Sequence, residues 1–303
     1  MNNIETVLPG SLSKLANWTN LVPESPLQSA LMLSGRPEVL SLALGLPAPE
    51  LFPHQEFSAA CSAVLASDGH ALQYGKPPDG LKTHIVNLMR ERGVNCSEGE
   101  VFLTFGAQQA LRLAVALILD EGQPVITEEL SYPGFQQVAQ FYSPEFLTVP
   151  TDPATGMDVE RVERYLKSGI RPSLIYAIPD GHNPLGVTLS VEKRKRLCSI
   201  AQHYGIRLLE EDPYGLLTYS DEAPAPLRSY NDDVLYIGSF SKLLAPSVRV
   251  GWLLAPERCH RYLGILKEAS DINTATFAQR VVNQMLSSGF LNDHLARLRR
   301  EYR

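Results

Sequence analysis

Apolar residues fall into two alternating rhythms along this 303-residue chain. Short β-branched or aliphatic runs recur at "EVFLTF", "QPVITEE", "FLTVP", "SLIYAIP", "IRLLEED", "VLYIGSF" and "VGWLLAP". Longer segments with helical spacing lie among them: "QEFSAACSAVLAS", "GLKTHIVNLMRERG", "AQQALRLAVALILDEG" and "SVEKRKRLCSIAQHYG". Strand-length runs separated by amphipathic helices predict an α/β fold, with a mostly parallel seven-stranded sheet sandwiched by helices. Residues 1–50 are Pro- and Leu-rich, with one helical candidate at "SPLQSALMLSG", and read as an N-terminal arm. Residues 51–256 hold the sheet. Residues 257–303 read as a long helix leading to a small domain that is largely absent. That helix ends in "HLARLRREYR", with no glycine or proline to stop it.

Composition narrows the possibilities. The chain is 44% hydrophobic and 20% charged, enough for a sizeable core. Its net charge is -6 and no basic stripe stands out, which speaks against a nucleic-acid partner. The four cysteines are scattered without a CxxC pair. Buried free thiols in a reducing compartment fit them better than disulfides or a zinc site, and no metal is expected. The N-terminus lacks a basic-then-apolar signal pattern. No apolar run approaches the roughly 20 residues of a membrane span. A cytoplasmic protein is expected.

The candidate chemistry lies just after the strand runs, where open α/β sheets bind ligands. In "GSFSKLLAPSVRVGWLLAP", Lys242 sits between two hydroxyls, Ser239 and Ser241, and an apolar run, with Arg249 close behind. Burial and nearby cations lower a lysine's pKa and make it a nucleophile. A guanidinium with two hydroxyls suits a phosphate. In "FLTFGAQQAL" a strand meets Gly106 and a helix opening at Ala107 and Gln108. Its free N–H groups suit an anion, although a glycine turn is also ordinary. "IRLLEEDPYG" ends a strand at Asp212, followed by Pro213 and Tyr214. Asp212 could receive a protonated ring nitrogen or simply open a turn. Glu210 and Glu211 compete for that role, but are expected on a solvated or salt-bridged edge. "IPDGHNPLG" is a turn whose Asn183 amide could donate to a phenolate oxygen, with His182 as a polar loop residue. A lysine, a phosphate clamp, a carboxylate and an amide together describe the needs of pyridoxal phosphate.

With "LQYGKPPDG", "TFGAQQAL", "SYPGF", "PDGHNPLG", "EEDPYG" and "SFSKLLAPSVRVGW" in order, the chain resembles fold-type I pyridoxal-phosphate enzymes of the class I/II aminotransferase family. It is most similar to the aminoadipate/kynurenine-type and multi-substrate branch, which includes the matching domain of MocR-type regulators. The resemblance implies a large cofactor-binding domain over 51–256. It implies that Lys242 carries the cofactor as a Schiff base and moves the substrate proton, and that Asp212 keeps the pyridine nitrogen protonated. Asn183 and Tyr214 would bond the phenolic oxygen, and Tyr132 would stack on the ring. Gly106, Ala107 and Gln108, with Ser239, Ser241 and Arg249, would cradle the phosphate. Tyr74 would reach the phosphate of a neighbouring subunit, making a homodimer with shared sites. Leu44, Gly45 and Asn183 would line the substrate side.

Three departures qualify the resemblance. Leu44 in "LGLP" stands where the family has a second glycine, and Leu185 in "NPLG" replaces a threonine. The family's carboxylate-binding arginine has no counterpart in this chain. The expected activity is amino transfer between an amino acid and a 2-oxo acid, with no nucleic acid or membrane as partner. Leu44 and the missing arginine keep open a decarboxylase, lyase, oxidase or condensing enzyme of a biosynthetic pathway. A non-enzymatic cofactor-sensing regulator domain, or a degenerate relative, is the third reading.

Overall fold

The computed structural model describes residues 26–41, 45–219 and 223–303. The chain divides into two compact units, Met1–Leu44 and Gly45–Arg303. The described part of the first contains helix α1 (Pro26–Ser34).

In the second unit, helices α2 (His54–Ser67) and α3 (Leu81–Glu91) lead into strand β1 (Val101–Thr104). There follow α4 (Gly106–Ile118), β2 (Pro124–Glu128), α5 (Pro133–Gln140) and β3 (Glu145–Val149). A two-stranded ribbon of β4 (Thr151–Asp152) and β5 (Gly156–Met157) precedes α6 (Val159–Lys167), β6 (Leu174–Ala177) and α7 (Val191–Tyr204). Strands β7 (Arg207–Glu211), β8 (Leu235–Ser239) and β9 (Gly251–Leu254) complete the sheet. Helices α8 (Glu257–Asp271), α9 (Thr276–Ser287) and α10 (Leu291–Tyr302) close the chain.

The seven predicted strand runs are β1, β2, β3, β6, β7, β8 and β9, arranged β1-β9-β8-β7-β6-β2-β3. From β8 to β3 all neighbours are parallel. β9 runs antiparallel to both β8 and β1. Successive strand side chains point to opposite faces, and the core divides accordingly. Leu253, Leu209 and Leu174 pack with Leu111 and Phe135 under α4 and α5. Ile175 and Leu208 pack with Leu197 and Val162 under α7 and α6. Trp252 and Tyr236 pack with Ile85, Met89 and Val282 under α3 and α9.

Local chemistry sets the helix ends. Asp158 accepts from the Arg161 backbone N–H at 2.7 Å and opens α6, and Ser190 opens α7 in the same way. Gly205 closes α7 in the left-handed conformation. The single long helix expected over 257–303 is instead three. Ile272 breaks the first at φ +59° and Gly289 the second at φ +76°. Among the described residues no helix is long and apolar enough to cross a membrane.

Candidate active site

Lys242 lies in the turn after β8, anchored by the buried Phe240, Leu243 and Leu244. Its Nζ donates to the Gly45 carbonyl at 2.9 Å. Among the described residues it makes no ion pair. Burial lowers its pKa below the ordinary 10.5. The sequence predicts help from a neighbouring cation; burial is the cause resolved here. The ammonium group faces a cavity of about 700 Å³ shared with Gly45, Tyr214, Leu46, Leu217, Tyr219 and Tyr302.

Arg249, seven residues after Lys242, forms a cationic corner with Ser239, Ser241 and Gly106. Arg249 adopts a left-handed φ of +53°, uncommon for a residue with a Cβ. Its Nη1 donates to Ser241 Oγ at 3.3 Å and to the Pro246 carbonyl at 3.3 Å. Its Nη2 donates to the Phe105 carbonyl at 3.2 Å, and the guanidinium sits 5.5 Å from the Phe105 ring centre. Ser239 and Ser241 are joined through their hydroxyls at 3.0 Å. Gly106 starts α4 at φ +75°, and a Cβ there would lie 2.4 Å from Arg249 Nη2. The glycine therefore provides both the turn and the space in which the guanidinium meets the helix N-terminus. Ala107 and Gln108 form the first turn of that helix, and Gln108 Nε2 donates to the Gly134 carbonyl at 3.1 Å. Among the described residues no carboxylate neutralises Arg249.

A second group of polar side chains surrounds Asp212. Asp212 follows β7, and its N–H extends the ladder to the Ile237 carbonyl at 2.9 Å. Its Oδ1 accepts from the Gly215 N–H at 2.6 Å and its Oδ2 from the Tyr236 hydroxyl at 2.9 Å. Burial raises the Asp212 pKa, and the Arg92 guanidinium opposes that rise. The Tyr214 hydroxyl is hydrogen-bonded to the Asn183 side chain, and burial pushes its pKa up. Tyr132 opens α5 with its ring folded over Gly134, where a Cβ would lie 2.3 Å from Cε1. Burial first, then the Glu211 charge, push the Tyr132 phenol up to about 12, so it stays protonated.

Several expectations need correction. Glu210 and Glu211 are not at a solvated edge; both are buried. Glu210 accepts from the Leu227 and Arg228 N–H groups at 2.8 and 2.9 Å. Glu211 accepts from the Tyr176 hydroxyl at 2.5 Å, and burial raises its pKa to about 7. His182 is a loop residue, but a buried one: it is 3% exposed and its Nε2 lies 2.9 Å from Glu128 Oε2. Leu44 lies outside the described residues, while its neighbour Gly45 meets Lys242. Tyr74 is 73% exposed. Sequence reasoning missed Arg92, Asp180 and Tyr236 around Asp212. A polar residue buried by distant elements has no local signal.

The model of "Aminotransferase class I and II" matches residues 48–303. The chain belongs to the class I and II aminotransferase family. Its relatives include "Aromatic-amino-acid aminotransferase 1" of Thermococcus litoralis, 36% identical over 284 residues, covering 90% of this chain and 68% of that one. Among solved structures, the multiple substrate aminotransferase of Thermococcus profundus aligns with a TM-score of 0.87 at 34% identity, covering 95% of this chain and 74% of that one. The α-aminoadipate aminotransferase LysN of Thermus thermophilus, complexed with N-(5'-phosphopyridoxyl)-L-leucine, aligns at 0.86 with 34% identity, covering 94% and 72%. As an aminotransferase of this family, the chain uses pyridoxal phosphate to move an amino group between an amino acid and a 2-oxo acid. The residues present fit that cofactor. The uncompensated Arg249 with Gly106 suits its phosphate, the buried Asp212 its ring nitrogen, and Lys242 its aldehyde.

Proposed function

We propose that this aminotransferase binds its cofactor through Lys242, and that the pocket behind Lys242 accepts amino acids with apolar or aromatic side chains. The observation that supports this most is the placement of Lys242. Its Nζ donates to the Gly45 carbonyl and makes no ion pair among the described residues, where Arg249 likewise meets no carboxylate and Asp212 is buried. Arg249, Ser239, Ser241 and the first turn of α4 bind the phosphate. Asn183 and Tyr214 donate to the phenolic oxygen, Tyr132 covers the ring, and Asp212 holds a proton on the pyridine nitrogen. The bound cofactor supplies an electron sink that loosens the substrate's Cα–H bond. Lys242 Nζ, as a free amine, would take that proton, because its lowered pKa leaves a larger fraction unprotonated.

The cavity supports the substrate class. Leu46, Pro47, Leu217 and Tyr302 give it a largely apolar wall. The aromatic-amino-acid relative and the multiple-substrate structure are consistent with that choice. Residues 51–256 form the cofactor-binding domain in this reading, and 257–303 lead into a second, smaller one. Two copies form a homodimer in which each exposed Tyr74 reaches the phosphate of the other copy's site. Four free thiols suit the cytoplasm. Gly45 borders the substrate side.

Rapid mixing of the cofactor-loaded chain with phenylalanine, leucine and aspartate tests this reading. The expected result is conversion of bound pyridoxal phosphate to pyridoxamine phosphate with one equivalent of 2-oxo acid, fastest for phenylalanine. Conversion by aspartate alone would overturn the substrate class. Loss of carbon dioxide without oxo acid would favour the decarboxylase alternative.

A further inference from the structure

Arg92 follows the last turn of α3 and does not border the cavity at Lys242. It is buried, and its Nη2 lies 2.8 Å from Asp180 Oδ2 and 3.3 Å from Asp212 Oδ2. Asp180, also fully buried, is held from its other side by Arg194, whose Nη2 is 2.7 Å from Oδ1. Charges therefore alternate across four separate parts of the chain: Arg194 on α7, Asp180 in the β6–α7 loop, Arg92 beyond α3, and Asp212 beyond β7. Gly215 leaves room for the contact. A Cβ there would lie 2.4 Å from Arg92 Nη2 and 2.5 Å from both carboxylate oxygens of Asp212.

The groups facing Asp212 are Arg92, Asp180, Glu210, the Tyr236 hydroxyl and the Gly215 N–H. Two are acidic and two are neutral donors. Among the described residues Arg92 is the one cation against it. Without Arg92, Asp212 would remain buried beside Asp180 with no opposite charge, a costly arrangement that protonation relieves.

We propose that Arg92 is a positioning residue that keeps Asp212 an anion, and so fixes the shared proton on the cofactor's pyridine nitrogen rather than on the carboxyl group. The proposal rests on the reading of Asp212 as the ring-nitrogen partner. In an apolar site a carboxylate and a pyridinium compete with their neutral pair, which differs only by moving one proton across the hydrogen bond. A guanidinium in contact with the carboxylate stabilises its negative charge and so favours the charged pair. Asp180 ties Arg92 to Arg194, so the guanidinium is held from behind.

The test uses the full chain loaded with ring-¹⁵N pyridoxal phosphate, as wild type, Arg92→Gln, Arg92→Lys and Asp212→Asn. The readouts are the ring-nitrogen NMR shift and the cofactor dissociation constant. The expected wild-type signal is that of a protonated nitrogen. Asp212→Asn and Arg92→Gln both move it to the neutral range and weaken cofactor binding about tenfold or more. Arg92→Lys, which retains the charge, restores the protonated signal. If Asp212→Asn moves the signal while Arg92→Gln leaves it in place with affinity within about twofold, the proposal fails and the role of Asp212 stands. If Asp212→Asn moves nothing, the role of Asp212 fails and takes the proposal with it. A purely structural Arg92 would lower stability without moving the ring-nitrogen signal. Should Arg92→Gln not fold, the Asp212 carboxyl carbon of the wild-type apo chain decides, assigned by difference from Asp212→Asn. An ionised carboxyl at pH 7 supports the proposal, and a protonated one overturns it.

Discussion

Gly106 shows how one residue couples backbone shape to chemistry. Its φ of +75° and the 2.4 Å between an added Cβ and Arg249 Nη2 leave no room for a side chain. Gly106→Ala should displace the guanidinium and weaken cofactor binding about tenfold or more, or ~1.4 kcal/mol, measured by cofactor titration of the apo chain. Unchanged affinity would remove Arg249 from the phosphate site. Glu211 makes a different prediction. Its carboxyl rises from the ordinary 4.5 to about 7 because it is buried, so the folded chain binds this proton more tightly than the unfolded one. The stability it contributes is full below pH 4.5 and is lost as pH rises through 7. Denaturant melts from pH 4.5 to 8 should show Glu211→Gln gaining on wild type by up to about 3 kcal/mol as pH rises. A constant difference would contradict the assignment. The site was legible where a residue carries its context in its neighbours: Lys242 between hydroxyls and leucines, Asp212 at the end of an apolar run, Gly106 at a strand-to-helix turn. Glu211, His182 and Arg92 were not. Tyr176, Glu128 and Asp180 meet them from distant parts of the chain, and only the fold brings those partners together.

At the scale of elements, most strand runs were readable because burial on both faces writes a continuous apolar signature, which the edge strand β3 shows only in part. All seven became strands of the main sheet. Their order, and the reversal of β9 between β1 and β8, were not readable, because pairing is decided between segments. The short helix α5, which begins with Pro133 and Gly134, is not among the helical segments expected. The breaks in the expected C-terminal helix had unequal signals. Gly289 is an ordinary helix stop, whereas Ile272 at φ +59° gives no local sign. Packing between β8 and β9 supplies a test of the sheet itself. Gly238 pairs with Trp252, and a Cβ on it would lie 2.2 Å from the indole ring. Trp252 is buried and has no space to retreat. Gly238→Ala should cost about 1–3 kcal/mol in urea unfolding, the range for overpacked cores. A loss below ~0.5 kcal/mol would mean that the indole is not held against this strand.

At the scale of the whole molecule, the proposed partners of the cofactor all lie within one copy except Tyr74. Tyr74, 73% exposed, lies beside the exposed Leu72. Light scattering of the cofactor-loaded chain should give twice its 33.5 kDa mass. A monomer with full cofactor affinity would remove Tyr74 from the site. The central claim is that Lys242, among all the lysines of the chain, carries the cofactor. The most direct measurement is borohydride reduction of the loaded protein, followed by proteolysis and mass mapping of the phosphopyridoxyl group. The expected result is a single modified peptide containing Lys242, absent from Lys242→Ala. A modification on another lysine, or none in a protein that has bound the cofactor, would contradict it.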